Sequence, residues 1–180
     1  MPRKRTELDR DEKVEQILEH AVELLSRGGY EELSINRVAR DLGLARAAVY
    51  WYFPSRDELF TAACARLFAD TFTGPPADGS VIDQIRWGVE CFAAIYDVYA
   101  VLLQRASAEP TAAELLEAFD RSVCGRLTRV LAPHVPADQL DGIVETIVVF
   151  TEGLLGRRLP SAERDRRLIT ALNALLPSTQ

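Results

Sequence analysis

The chain has 180 residues and a mass of 20.0 kDa, enough for one compact body or two small ones sharing an interface. A hydrophobic share of 48% excludes a disordered chain, and no apolar run approaches the roughly 20 residues that a membrane helix needs. The net charge is −6 at pH 7, which at first sight opposes a nucleic-acid partner.

The N-terminus, MPRKRTELDRDE, is charged and has no apolar stretch of the secretory kind, so a cytoplasmic location is expected. Arg3, Lys4 and Arg5 form a basic arm suited to a minor groove or to general phosphate attraction, or else simply a solvated charged terminus. Asp9 with Glu12 reads as a capping box, opening a first helix with Val14, Ile17, Leu18, Ala21, Leu24 and Leu25 on one face. Gly28-Gly29 ends it, and Tyr30 and Leu33 are expected to pack back on it. Ser34 caps a second helix that ends at Gly43, and a third runs from about Ala45 to Tyr52. Pro54 interrupts, and Ser55 with Glu58 opens a longer fourth helix reaching Phe72.

The loop TGPPADGS at 73–80 is the clearest break in the chain. Five further helical patterns follow, at about 81–94, 95–107, 112–131, 138–156 and 163–176, the third of them capped by Thr111 with Glu114. The expectation is an all-α fold of about nine helices. A three-helix head over residues 1–54, with its basic arm, precedes a helical regulatory and dimerisation body over 55–180.

Residues 34–60 are the most informative. Ala39 is small enough for two helices to cross closely, and Gly43 can take the φ > 0 conformation of a tight turn. Val38, Leu44 and Val49 then close a small apolar core between the helices. This is the pattern of a helix-turn-helix, which lays its second helix in the DNA major groove. The charge distribution agrees better than the total does. Residues 2–5 carry +3 and residues 34–56 another +3, so the other segments hold −12.

On the third helix, Arg46, Ala47, Tyr50 and Trp51 fall on or near the exposed side while Val49 and Phe53 turn inward. Arg46 suits paired hydrogen bonds to guanine, and Ala47 suits contact with a thymine methyl. Tyr50, Trp51 and Tyr52 can reach phosphates through their polar tips. They cannot all be core, because each helical step turns about 100°. Ser34, Asn36 and Arg56, each at a helix start, suit backbone contacts, and Asn36 also suits a base.

Other chemistry is thinly supported. Cys64, Cys91 and Cys124 fit no metal or redox spacing and read as buried reduced thiols. His20 and His134 are too isolated for a metal site or a catalytic dyad. Neither a metal nor a cofactor is expected. An enzyme on a helical scaffold is a remote alternative, with no Gly-rich phosphate loop and no nucleophile–base pair legible from spacing.

With GGYEELSINRVARDLGLARAAVYWYFPSRDELF, and AVELL before it, the chain resembles the TetR family of bacterial transcription regulators over about residues 10–70. The family's aromatic segment here reads Tyr50-Trp51-Tyr52-Phe53, with Tyr52 in place of a frequent His and Asn36 where many members have Arg. Matched to the motif, the resemblance implies backbone or base contacts from Ser34, Asn36, Arg46, Ala47, Tyr50, Trp51, Tyr52 and Arg56. It also implies a homodimer built by the last two helices, which binds a near-palindromic operator in double-stranded DNA. Leu140, Ile143, Val144, Ile147, Val148, Thr151, Leu154 and Leu155 form an apolar stripe wide enough for such a partner, with Leu168 and Leu172 on the last helix. Val149 and Phe150 widen the stripe, and Gly153 and Gly156 allow close helix approach. A small apolar or aromatic effector in the body is implied too, with the fourth helix as lever. Phe68, Phe72, Trp87, Cys91, Phe92, Tyr96, Tyr99, Leu103 and Phe119 are the candidate lining, and Arg86, Glu90, Arg105 and Glu109 candidate polar anchors. Two regulator readings stay open: a repressor released by a small molecule, and a regulator of the same fold controlled by a partner or acting as activator.

Overall fold

The computed structural model describes residues 3–73 and 79–176, with side chains from residue 10 onward. It contains eight helices among those residues. They are α1 (Arg3–Glu32), α2 (Ile35–Asp41), α3 (Arg46–Tyr52), α4 (Arg56–Thr71), α5 (Val81–Arg105), α6 (Pro110–Leu131), α7 (Ala137–Gly156) and α8 (Ser161–Leu175). No strand occurs among the described residues. No helix there is long and apolar enough to cross a membrane.

The expected count of nine falls to eight because 81–94 and 95–107 are one helix, with no Gly or Pro at the proposed junction to stop it. α1 begins at Arg3 rather than at an Asp9 cap, since the Arg, Lys, Glu and Leu before Asp9 are all good helix formers. The side chains of Arg3, Lys4 and Arg5 lie outside the described residues, as do 74–78 of the proline-rich loop. α6 likewise opens at Pro110, ahead of the expected Thr111 cap. Proline suits a first helical position because its missing N–H would have had no partner there.

The chain divides into two compact units. One comprises residues 1–70 and 97–116, the other 71–96 and 117–180. In the first, α1 is interrupted at Gly28-Gly29, where Gly29 has φ +67°, a conformation that favours glycine. Ile17, Ala21, Leu24 and Leu25 of α1 are buried, as are Leu33, Val38, Val49, Leu59, Phe60, Ala63 and Cys64. Tyr30 meets the ring of Phe60 on α4 edge-on at 4.8 Å. Two of the expected capping residues, Ser34 and Ser55, act as read. Ser34 Oγ accepts the Arg37 N–H at 3.1 Å, and Ser55 Oγ accepts that of Glu58 at 3.0 Å. Ser34→Ala is therefore expected to cost about 1 kcal/mol of stability, measured as a lower denaturation midpoint at unchanged helix content.

The second unit is held by a core of Ile85, Val89, Leu131, Val135, Val144, Ile147, Leu154, Leu168, Leu172 and Leu176. Two paired-oxygen ion pairs tie α5 to α8. Arg86 meets Asp165 at 2.6 and 2.9 Å, and Arg164 meets both Glu90 oxygens at 2.8 Å. Ser80 and Asp83 cap α5 reciprocally: Ser80 Oγ accepts the Asp83 N–H, and the Asp83 carboxylate accepts the Ser80 N–H, each at 3.2 Å.

Candidate functional site

The first unit builds its head around the turn between α2 and α3. Gly43 sits at φ +64°, where a side chain would be strained, and the turn closes through two backbone bonds. The Leu44 N–H donates to the Ala39 carbonyl at 2.8 Å and the Gly43 N–H to the Arg40 carbonyl at 3.2 Å. Val38, Ala39 and Val49 are buried and Leu44 half-buried, so the small core expected between the helices is present. It fixes which face of α3 looks outward.

That face carries Arg46, Ala47, Tyr50 and Trp51, all exposed. Trp51 is 65% exposed and Tyr50 43%, high values for such large apolar surfaces. Tyr52 is half-buried and meets the Trp51 ring edge-on at 4.8 Å. Arg46 has no ion-pair partner among the described residues. No acidic residue lies between Leu42 and Arg56, so the turn and α3 themselves contribute no carboxylate. The guanidinium of Arg10 stands 5.2 Å from the centre of the Trp51 ring. Arg10 adds a second cation to this face. Its place here was not legible from spacing, because only the path of α1 brings it there.

The remaining residues expected to touch DNA differ in what they are free to do. Asn36 is exposed in the first turn of α2. Ser34 already uses its hydroxyl as the α2 cap. Arg56 is drawn into the head itself, where Nη2 donates to the Tyr30 carbonyl at 2.6 Å and the guanidinium lies 3.7 Å from the Tyr30 ring centre. Arg105 of α5 covers the same ring at 4.1 Å and pairs with Asp57. The Tyr30 hydroxyl donates to Asp57 at 3.1 Å, and burial holds the phenol above its usual pKa. Arg105, a candidate ligand anchor, is thus committed to the first unit. Arg86 and Glu90 are committed to α8.

The second unit contains a cavity of about 450 Å³, within the range of small-molecule sites. Phe72, Trp87 and Phe92 line it, together with Ile85, Gly88 and Val89 of α5, Val123, Leu127 and Val130 of α6, and Ile147, Val148 and Thr151 of α7. Phe119 stands behind these, its ring 6.0 Å from that of Phe72 and 5.7 Å from that of Phe92. Cys91 and Tyr96 belong to the same unit but not to the lining, and the Tyr96 hydroxyl donates to the Glu152 carbonyl at 3.3 Å. Phe68, Tyr99 and Leu103 fall in the first unit, Phe68 and Tyr99 buried and Leu103 exposed. Polar lining residues that sequence reasoning missed are Gln84, Arg126, Arg129 and His134. Cys64 is buried, as expected, whereas Cys91 and Cys124 are only half-buried. Burial raises the pKa of all three thiols.

The apolar stripe of α7 and α8 points largely into its own unit. Val144, Ile147, Thr151, Leu154, Leu155, Leu168 and Leu172 are all buried, and only Leu140, Ile143 and Val148 are partly open. The reason is that helical periodicity marks an apolar face without saying which neighbour covers it. The open side of α7 carries Val149, 62% exposed, beside Phe150 and Gly153. A shallow groove there continues onto α8 at Thr170, Ala171 and Ala174, edged by Arg157, Arg166 and Arg167.

These features define a class: a helix-turn-helix head with an outward basic and aromatic second helix, followed by an all-helical body. Residues 17–63 match the family described as bacterial regulatory proteins, tetR family. The nucleoid occlusion factor SlmA of Pasteurella multocida is 36% identical over 72 residues, covering 40% of this chain and 35% of that protein. The chain thus spans about a third of the length of that curated relative. A tetR-family transcriptional regulator from Streptomyces coelicolor shares the fold with a TM-score of 0.71 at 24% identity, covering 92% of this chain and 80% of the other. A Saccharomonospora viridis protein solved in complex with choline matches at TM-score 0.71 and 16% identity, covering 92% of this chain and 98% of the other. The head thus matches the TetR-family model, and the described chain shares the fold of these solved structures.

Proposed function

We propose that the protein is a sequence-specific DNA-binding transcription regulator, a homodimeric repressor that leaves its operator when a small molecule fills the cavity of the second unit. The observation that carries the reading is the outward face of α3, where Arg46, Ala47, Tyr50 and Trp51 are exposed on a helix fixed by the Gly43 turn. Arg46 reads guanine, Ala47 lies against a base edge, and Tyr50, Trp51 and Tyr52 hold phosphates and sugars. Asn36 adds a contact from α2, and Ser34 and Arg56 place the helix starts that face the backbone.

Dimerisation through α7 and α8 uses their open side, around Val149 and Gly153, since the stripe residues already fill their own core. α5 carries the signal better than α4. It lines the cavity with Ile85, Gly88, Val89 and Phe92, and its last residue, Arg105, clamps Tyr30 and Asp57 in the unit that holds the head. α4 lies almost wholly within that first unit. The cavity favours the effector-released reading over partner control.

Direct titration of the protein with duplex DNA at stepped salt tests the reading. Affinity is expected to fall steeply and linearly on a logarithmic salt axis, as phosphate neutralisation by the basic residues of the head requires. A flat profile, or no binding at low salt, overturns it.

A further inference from the structure

Taking the cavity as the effector site, we infer that its ligand is a small anionic amphiphile, an apolar body ending in one carboxylate-like head. The interior sets the body. Phe72, Trp87 and Phe92 surround space lined otherwise by aliphatic side chains, so an apolar chain or ring gains burial there. The polar groups set the head. Arg126, Arg129 and His134 belong to the lining, and among the described residues no Asp or Glu does. A carboxylate placed among them meets the charge-assisted donors of two guanidinium groups, whereas an ammonium meets like charge there.

An aromatic lining by itself also suits a cation, since ring faces attract positive charge. Here that position is taken by the protein. The Arg126 guanidinium lies 5.5 Å from the Phe72 ring centre, and its Nη1 donates to the Phe72 carbonyl at 3.3 Å. A quaternary ammonium such as choline would have to displace it and would find no carboxylate to balance its charge.

A second observation points to a ligand independently. Thr151 is 7% exposed and lines the cavity, yet its Oγ1 is buried without a hydrogen-bond partner among the described residues. A buried hydroxyl left unpaired is costly, and a ligand oxygen in the cavity would supply its partner.

The test is calorimetric titration of the full chain, refolded from denaturant to strip bound small molecules. Decanoate, decan-1-ol and decyltrimethylammonium share one body and differ in the head. Decanoate is expected to bind at least about tenfold tighter than the alcohol, with the ammonium weakest. Arg126→Gln with Arg129→Gln should bring decanoate down to the alcohol's affinity. Gly88→Leu should abolish binding of all three at unchanged helical circular dichroism, because a Cβ at residue 88 meets no atom within 4 Å and extends into free space.

An ammonium that matches decanoate, a preference that survives the arginine changes, decanoate binding that survives Gly88→Leu, or no binding by any probe would overturn the inference. The gating reading fails separately. If decanoate binds as described and operator affinity does not move, the ligand class stands and effector release falls. A cationic compound that both competes for the cavity and releases DNA would do the reverse.

Discussion

Arg46→Ala and Trp51→Ala are each expected to weaken operator binding strongly while leaving the fold intact. Arg46 sits at the first position of α3, where a guanidinium can reach two acceptors of one guanine. Losing such a pair costs about 1–3 kcal/mol of binding and relaxes preference at that base pair. Trp51 presents a large exposed ring beside Arg10, so its loss removes contact area and loosens a neighbouring cation. A loss of about tenfold or more in affinity is expected for it, spread over all sequences rather than one base pair. Both side chains are exposed, so stability should change by no more than about 0.5 kcal/mol. Fluorescence anisotropy with a labelled duplex, beside thermal melts, checks both halves. A variant that unfolds marks its residue as part of the head's packing, and a variant that binds normally removes it from the interface.

The largest stability effect is expected at Ile147, and it separates core from interface. Ile147 is 2% exposed within a cluster that includes Val144, Leu154 and Leu168. Ile147→Asp puts a charge among the apolar side chains of that cluster. The cost is on the order of 4 kcal/mol or more, a large share of a domain's total stability. The variant is expected to lose cooperative unfolding or to aggregate. Val149→Asp, two residues on, places the same charge on the open side of α7, where the monomer loses little. There it should yield folded monomers by analytical ultracentrifugation. A Val149→Asp protein that stays dimeric would move the interface away from α7, and an Ile147→Asp protein that folds normally would contradict the core described for the second unit.

The contrast between those two residues shows what could be read in advance. The head was legible nearly residue by residue because its determinants are local. Ser34 caps three residues ahead, Gly43 takes the turn, and Val49 faces inward while Trp51 faces out. The body was legible as helices but not as neighbours. A stripe at helical spacing on α7 fixes which residues are apolar, yet the fold decides that Ile147 meets Leu168 and its neighbours in one core rather than a second chain. Among the aromatic residues offered for a pocket, Phe72, Trp87 and Phe92 converge, whereas Phe68 and Tyr99 pack in the other unit. Only long-range packing makes that division. Arg56 shows the same limit, because its stacking on Tyr30 depends on a residue 26 positions earlier.

The central claim is that α3 reads a DNA sequence for a symmetric pair of chains. Selection of bound duplexes from a random pool by the purified protein tests it most directly, with the protein used both as isolated and after refolding free of small molecules. The expected result is an enriched near-palindrome, bound by two copies, with half-sites about one helical turn or a multiple of it apart. Failure of both preparations to enrich any sequence at low salt would contradict it.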